Sequence, residues 1–235
     1  MAYPGLEITP PFFEIGPKAY MFGSELVDLA RRADALSRAF LVQVIITPQC
    51  VDLPLVAREV ETVLVFAQHM DALERGRGVG SILPEAVKAA GAAGVLLNHV
   101  ERRLSRDELA RTIRRADDVG LATMVCGDDA SDAASVAELG PNVIIVEEPL
   151  LIAGGTRDDH GRRAIAAANE AIWRVNREIR VLHGAGITGP RDVYDVIAAG
   201  AQGTGSSSAI FTAGNPQAML EDMIRSVREA WDRTH

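Results

Sequence analysis

Cysteine is scarce in this chain, and no stretch of it is long and apolar enough to cross a bilayer. The two thiols, Cys50 and Cys126, lie far apart, each near the end of an apolar run and neither with a CxxC partner. That pattern argues against a disulfide framework and against a cysteine-built metal site, and suits reduced thiols in a cytoplasmic protein. Positive charge is also short. The 24 Lys and Arg face 32 Asp and Glu, a net charge of −8, which disfavours nucleic acid and anionic membranes as partners. A small anion stays within reach, because backbone N–H groups at helix starts bind phosphate whatever the global charge. The opening MAYPGLEITP has neither the basic nor the apolar segment of a signal peptide. No linker, low-complexity block or charge run divides the chain, so one domain over residues 1–235 is expected.

What the chain has instead is a core. Hydrophobic residues make up 48% of it, enough to bury a substantial interior. Short apolar runs recur at 11–16, 40–46, 62–68, 93–98, 121–127, 142–147, 179–184 and 201–207. The last, AQGTGSS, is rich in Gly and Ser and is placed mainly by spacing. Between the runs lie amphipathic stretches. SELVDLARRADALSRA sets Leu26, Leu29, Ala30 and Ala33 on one face. LSRDELARTIRRADDVG opens on Ser105 with Glu108 three residues later, a capping-box pattern, and stops at Gly120. Strands that are apolar throughout, alternating with helices, imply parallel pairing with right-handed crossovers and a sheet covered on both faces. Eight such units predict a closed (β/α)8 barrel, an architecture of about 250 residues. The alternative is an open doubly wound sheet, for which the expected GxGxxG after the first strand is missing.

Barrel chemistry collects at the C-terminal ends of the strands. The polar groups expected there are Lys18, Gln68 and His69, Asn98 and His99 with Glu101, Arg102 and Arg103, the pair Glu147–Glu148, and the loops GAGITG and GSSSA after strands seven and eight. A Glu, a neutral His and a Lys around one mouth can move a proton next to a carbonyl. The carboxylate takes it from carbon, the imidazole polarises the carbonyl, and the ammonium holds the charge that develops on oxygen. Glycine-rich loops let backbone N–H groups approach a phosphate closely. Alone, a His, a Lys or a Gly-rich turn of this kind is more often a structural or surface feature, and the Glu pair as often one; it is their coincidence at the ends of different strands that carries weight. His69, His99 and His183 fall on different strands, so no metal and no organic cofactor is expected.

The segments VFAQHMD (65–71), GVGSILPEAVKAAGAAGVLLNHVERRL (78–104), IIVEEPLLIAGG (144–155) and HGAGITGPRDV (183–193) resemble, in order and spacing, the triosephosphate isomerase family, in particular its compact archaeal-type branch. The resemblance implies a (β/α)8 barrel that isomerises a small phosphorylated sugar through an enediolate. It implies Lys18 as electrostatic lysine, His99 as a neutral electrophile beside a helix N-terminus, and Glu147 as carbon base. Ala153, Gly154 and Gly155 would lie in a phosphate-gripping lid, and Gly186, Thr188, Ser207 and Ser208 in two phosphate loops. Glu101 and Arg102 would form a supporting ion pair under the site. A homodimer or homotetramer is implied as well. Several positions depart from the family pattern: Gly16 where an Asn is usual, Val100 where a Ser is usual, Glu148 where a Pro is usual, Ala153 where a Gly is usual, and Val79 where a polar residue is usual. They leave open an isomerase or epimerase of a four- or five-carbon sugar phosphate, or a barrel that binds such a molecule without turning it over.

Overall fold

A computed structural model of the chain describes residues 3–147, 159–184 and 186–234, apart from the side chains at 159 and 160. Eight strands, β1 (Phe12–Ile15), β2 (Gln43–Ile46), β3 (Leu64–Ala67), β4 (Gly94–Leu97), β5 (Ala122–Gly127), β6 (Val143–Val146), β7 (Arg180–His183) and β8 (Gly203–Ser206), pair in parallel and close in chain order. Each lies inside the run that the sequence marks for it. Among the described residues the helices are α1 (Gly23–Phe40), α2 (Leu53–Ala57), α3 (Pro84–Ala89), α4 (Arg106–Val119), α5 (Ala130–Ala137), α6 (Asp159–Val175), α7 (Pro190–Ala198), α8 (Ser208–Phe211) and α9 (Pro216–Thr234). None of them is long and apolar enough to cross a membrane.

Alternation along the strands divides the core in two. Phe12, Ile45, Phe66, Leu96, Met124, Cys126, Ile145 and Leu182 form one cluster inside the barrel. Phe13, Ile15, Val44, Ile46, Val95, Val125, Ile144 and Val181 join the helix faces in the other. Both sides of the sheet are thus buried, which is why the strands read as continuous apolar runs. α1 turns Leu26, Leu29, Ala30, Ala33 and Leu36 inward. α4 carries the capping box that Ser105 and Glu108 predict, and it ends at Gly120 with a left-handed φ of 76°.

The composition of β8 follows from its neighbour. Phe12 on β1 lies opposite Gly203, and Glu14 opposite Gly205. A Cβ at Gly203 would stand 2.5 Å from the Phe12 ring, and one at Gly205 2.9 Å from the Glu14 carboxyl. The same pairing recurs at Phe66 and Gly94, where a Cβ would meet the ring at 2.5 Å. Small residues face large ones because a barrel interior leaves no spare volume. Gly203→Ala is therefore expected to destabilise the fold by about 1–3 kcal/mol through overpacking, and adding Phe12→Leu should recover part of that loss. Denaturant unfolding of the single and double variants measures it; additive losses would count against the pairing.

Candidate active site

Parallel closure puts the C-terminal ends of all eight strands on one rim. Lys18 stands three residues past the end of β1, with a left-handed φ of 45° that turns the chain at the rim. Its carbonyl accepts a hydrogen bond from Gln68 Nε2 at 3.0 Å, and Gln68 also donates to the Thr47 carbonyl at 2.8 Å. One side chain just past β3 thus ties the ends of β1 and β2 together. The Lys18 ammonium bonds Glu101 Oε1 at 2.7 Å. The pair is partly exposed, so its value lies in orientation more than in stability.

His99 follows β4 through Asn98, which has a left-handed φ of 59°. Asn and Asp adopt this conformation more readily than other residues with a Cβ. Asn98 is also held by its side chain, which donates to the Cys126 carbonyl at 3.0 Å and accepts the Leu104 N–H at 3.1 Å. The next turn brings the Glu101 N–H to His99 Nδ1 at 3.1 Å, while the Arg102 N–H bonds the His99 carbonyl at 2.8 Å. A nitrogen that accepts cannot carry the proton, so the ring is the Nε2–H tautomer. Burial, followed by the charge of Lys18, lowers its pKa, against the opposing pull of Glu147 and Glu101. The family resemblance implies a helix N-terminus beside His99. The feature present is a short turn, with α4 beginning only at Arg106. Burial first and the Lys18 charge second therefore favour the neutral ring, and the Glu101 N–H fixes its tautomer.

Glu147 follows β6, and its N–H bonds the Gly127 carbonyl at 3.0 Å. Its Oε1 lies 3.7 Å from where a Cβ on Gly184 would stand, at the end of β7. The charges of both Lys18 and Glu147 reach the His99 imidazole, so these three expected residues come together. Gly186 has a left-handed φ of 71° in the loop after β7. Thr188 donates its N–H to Asp192 Oδ2 at 2.9 Å and its hydroxyl to the same atom at 2.5 Å. Ser207 donates its hydroxyl to the Gly16 carbonyl at 2.6 Å, joining the end of β8 to the end of β1. Ser208 begins α8. Glu148, Ala153, Gly154 and Gly155 lie outside the described residues.

Other contacts differ from the sequence reading. Glu101 and Arg102 do not pair with each other. Glu101 holds Lys18, and Arg102 Nη2 lies 3.8 Å from Asp71 Oδ1. Asp71 also accepts the Ile82 N–H at 2.6 Å and faces His69 Nε2 at 3.2 Å, closing the loop after β3. His183 is buried behind the sheet, its Nε2 at 2.9 Å from Asn169 Oδ1, where burial lowers its pKa to about 4. The sequence reading missed Glu14 and Thr47. Glu14 is the one carboxyl inside an apolar strand among the described residues, at the position that alternates inward with Phe12.

With this geometry in hand, comparison with known proteins is decisive. Residues 15–226 match the family model described as triosephosphate isomerase. The chain belongs to the triosephosphate isomerase family. It is 35% identical over 229 residues to the triosephosphate isomerase of Sulfolobus acidocaldarius, covering 96% of this chain and 99% of that one. Identity to the triosephosphate isomerase of Sulfurisphaera tokodaii is 36% over 235 residues, covering 96% and 99%. To that of Methanosarcina mazei it is 34% over 220 residues, covering 92% and 99%. The crystal structure of triosephosphate isomerase from Bartonella henselae superposes with a TM-score of 0.78 at 18% identity, covering 93% of this chain and 99% of that one. That last likeness establishes the shared barrel.

For a triosephosphate isomerase family member, the state of His99 is the property to measure. A nitrogen-15 NMR titration should find His99 becoming neutral below the ordinary histidine range, and the neutral ring protonated on Nε2. A pKa raised above that range, or a neutral ring protonated on Nδ1, would contradict the geometry.

Proposed function

We propose that this chain is an isomerase that interconverts dihydroxyacetone phosphate and glyceraldehyde 3-phosphate. Its relatives carry that enzyme's name over nearly their full length. The observation that carries the chemistry is the neutral His99, protonated on Nε2 and lying within reach of the charges of Lys18 and Glu147. Glu147 removes a proton from the hydroxymethyl carbon beside the ketone. The electron pair forms the carbon–carbon double bond, and the carbonyl oxygen takes up negative charge. His99 Nε2–H and the Lys18 ammonium stabilise that oxygen. The hydroxyl proton of the first carbon passes to the second oxygen, and Glu147 returns its proton to the former carbonyl carbon. Atoms and electrons balance within one substrate, so no external oxidant or reductant enters.

Phosphate binding falls, in this reading, to the backbone around Gly186 and Thr188, to Ser207 and Ser208, and to Ala153, Gly154 and Gly155. Binding energy from the phosphate, remote from the reacting carbons, would drive exclusion of water. Glu101 orients Lys18 through the 2.7 Å bond, and Arg102 serves through Asp71. We further read residues 1–235 as one barrel domain that works as a homo-oligomer in the cytoplasm. The exposed Val51, Leu55, Val79 and Val100 favour assembly, and the free thiols Cys50 and Cys126 favour a reducing compartment. Gly16 favours a second reading, in which the substrate is a phosphorylated ketose of four or five carbons.

Both readings predict that Glu147→Gln lowers kcat by about 100- to 10,000-fold with a small change in KM. A panel of phosphorylated ketoses and aldoses, assayed on the native chain and on this variant, checks it. Wild-type turnover in the variant would remove Glu147 from the reaction. Conversion of a tetrulose phosphate without conversion of the triose would select the second reading.

A further inference from the structure

Strand β1 carries a carboxyl for which the mechanism above has no use. Glu14 alternates with Phe12, so it points into the barrel, yet it is half-buried where the other residues of the strand are fully buried. Its oxygens stand beside Gly16, past the end of β1, and feel the charges of Lys18 and Glu147, which places the carboxyl toward the mouth. Oε1 accepts the Thr47 hydroxyl at 2.8 Å. A Cβ on Gly16 would lie 3.3 and 3.4 Å from its two oxygens, and one on Gly205 2.9 Å from Oε2. The carboxyl thus fills the part of the wall that a side chain at residue 16 would occupy. The charged and titratable groups that face it are Lys18 beyond β1, Glu147 beyond β6, and the Cys126 thiol on β5. β2 and β8 offer it the Thr47 hydroxyl and the Gly205 backbone, which do not titrate.

We propose that Glu14 is a further substrate-binding residue of this site, which hydrogen-bonds an oxygen of the substrate's hydroxycarbonyl end where Gly16 has no side chain to do so. The proposal takes the ligand's chemistry from the isomerase reading and its geometry from β1. Burial, moderated by the Thr47 hydrogen bond and reinforced by Glu147, raises the Glu14 pKa to about 7. With its proton, Glu14 can donate to the substrate. Without it, a second negative charge stands beside Glu147 and opposes both the phosphorylated substrate and the enediolate. Productive binding therefore weakens as the pH rises through about 7.

The test compares the native chain, Glu14→Gln and Glu14→Leu with dihydroxyacetone phosphate between pH 6 and 9, alongside melting temperatures. Glu14→Leu should raise KM by about 10- to 100-fold, the effect of one lost polar contact, with a smaller change in kcat. Glu14→Gln should restore most of that loss. The ratio of kcat/KM for Glu14→Gln to that of the native chain, in which ionisation of the substrate itself cancels, should rise through about pH 7. Unchanged KM and a flat ratio would overturn the proposal, as would a lowered melting temperature with KM intact, the mark of a structural role alone. A second arm needs no turnover. Calorimetric binding of dihydroxyacetone phosphate to Glu147→Gln, with and without Glu14→Leu, should show weaker binding in the double variant. Weaker binding supports the role of Glu14 even in a chain that fails to isomerise the triose, and equal binding overturns it even in one that succeeds.

Discussion

A single backbone N–H, that of Glu101, fixes the chemistry available at this rim. By donating to His99 Nδ1 it leaves the ring one proton, on Nε2, and one direction in which to offer it. A neutral imidazole is a weak acid. It suits an oxygen that becomes strongly basic only as the neighbouring carbon loses its proton. The same turn makes Glu101 the partner of Lys18, so the residue that sets the tautomer through its backbone also aims the ammonium through its side chain. Asn98, left-handed and bonded to the Cys126 carbonyl and to the Leu104 N–H, makes that turn possible.

The barrel does the rest by topology. Lys18, His99 and Glu147 are separated by 81 and 48 positions along the chain, and no local structure could join them. Parallel closure brings the ends of β1, β4 and β6 to one rim. Gln68 and Ser207 then lock neighbouring ends together, to Lys18 and Thr47 in one case and to Gly16 in the other. Rigid strand ends of this kind suit chemistry that depends on sub-ångström placement.

Much of this was legible in the sequence, for physical reasons. Strands buried on both faces declare themselves as apolar runs, and Ser105 with Glu108 and Gly120 declare the ends of α4. The polar residues that interrupt the runs marked the rim. What was not legible depended on contacts across the barrel. β8 looked weak because Gly203 and Gly205 serve Phe12 and Glu14 on another strand. Glu14 went unnoticed because its meaning lies in which face of β1 it occupies. The partners of Glu101 and Arg102 were misassigned because adjacent residues suggest a pair, whereas the turn points them to Lys18 and to Asp71.

The chemistry of this rim turns on whether a proton leaves carbon. Dihydroxyacetone phosphate incubated with the protein in deuterated water, and followed by proton NMR, tests this most directly. The account predicts that one deuteron enters at carbon in the remaining ketose or in the aldehyde product, as the carboxyl exchanges its proton with solvent. Bound or converted sugar phosphate that shows no carbon-bound deuterium and equally little transfer of the original hydrogen between the two carbons would contradict it.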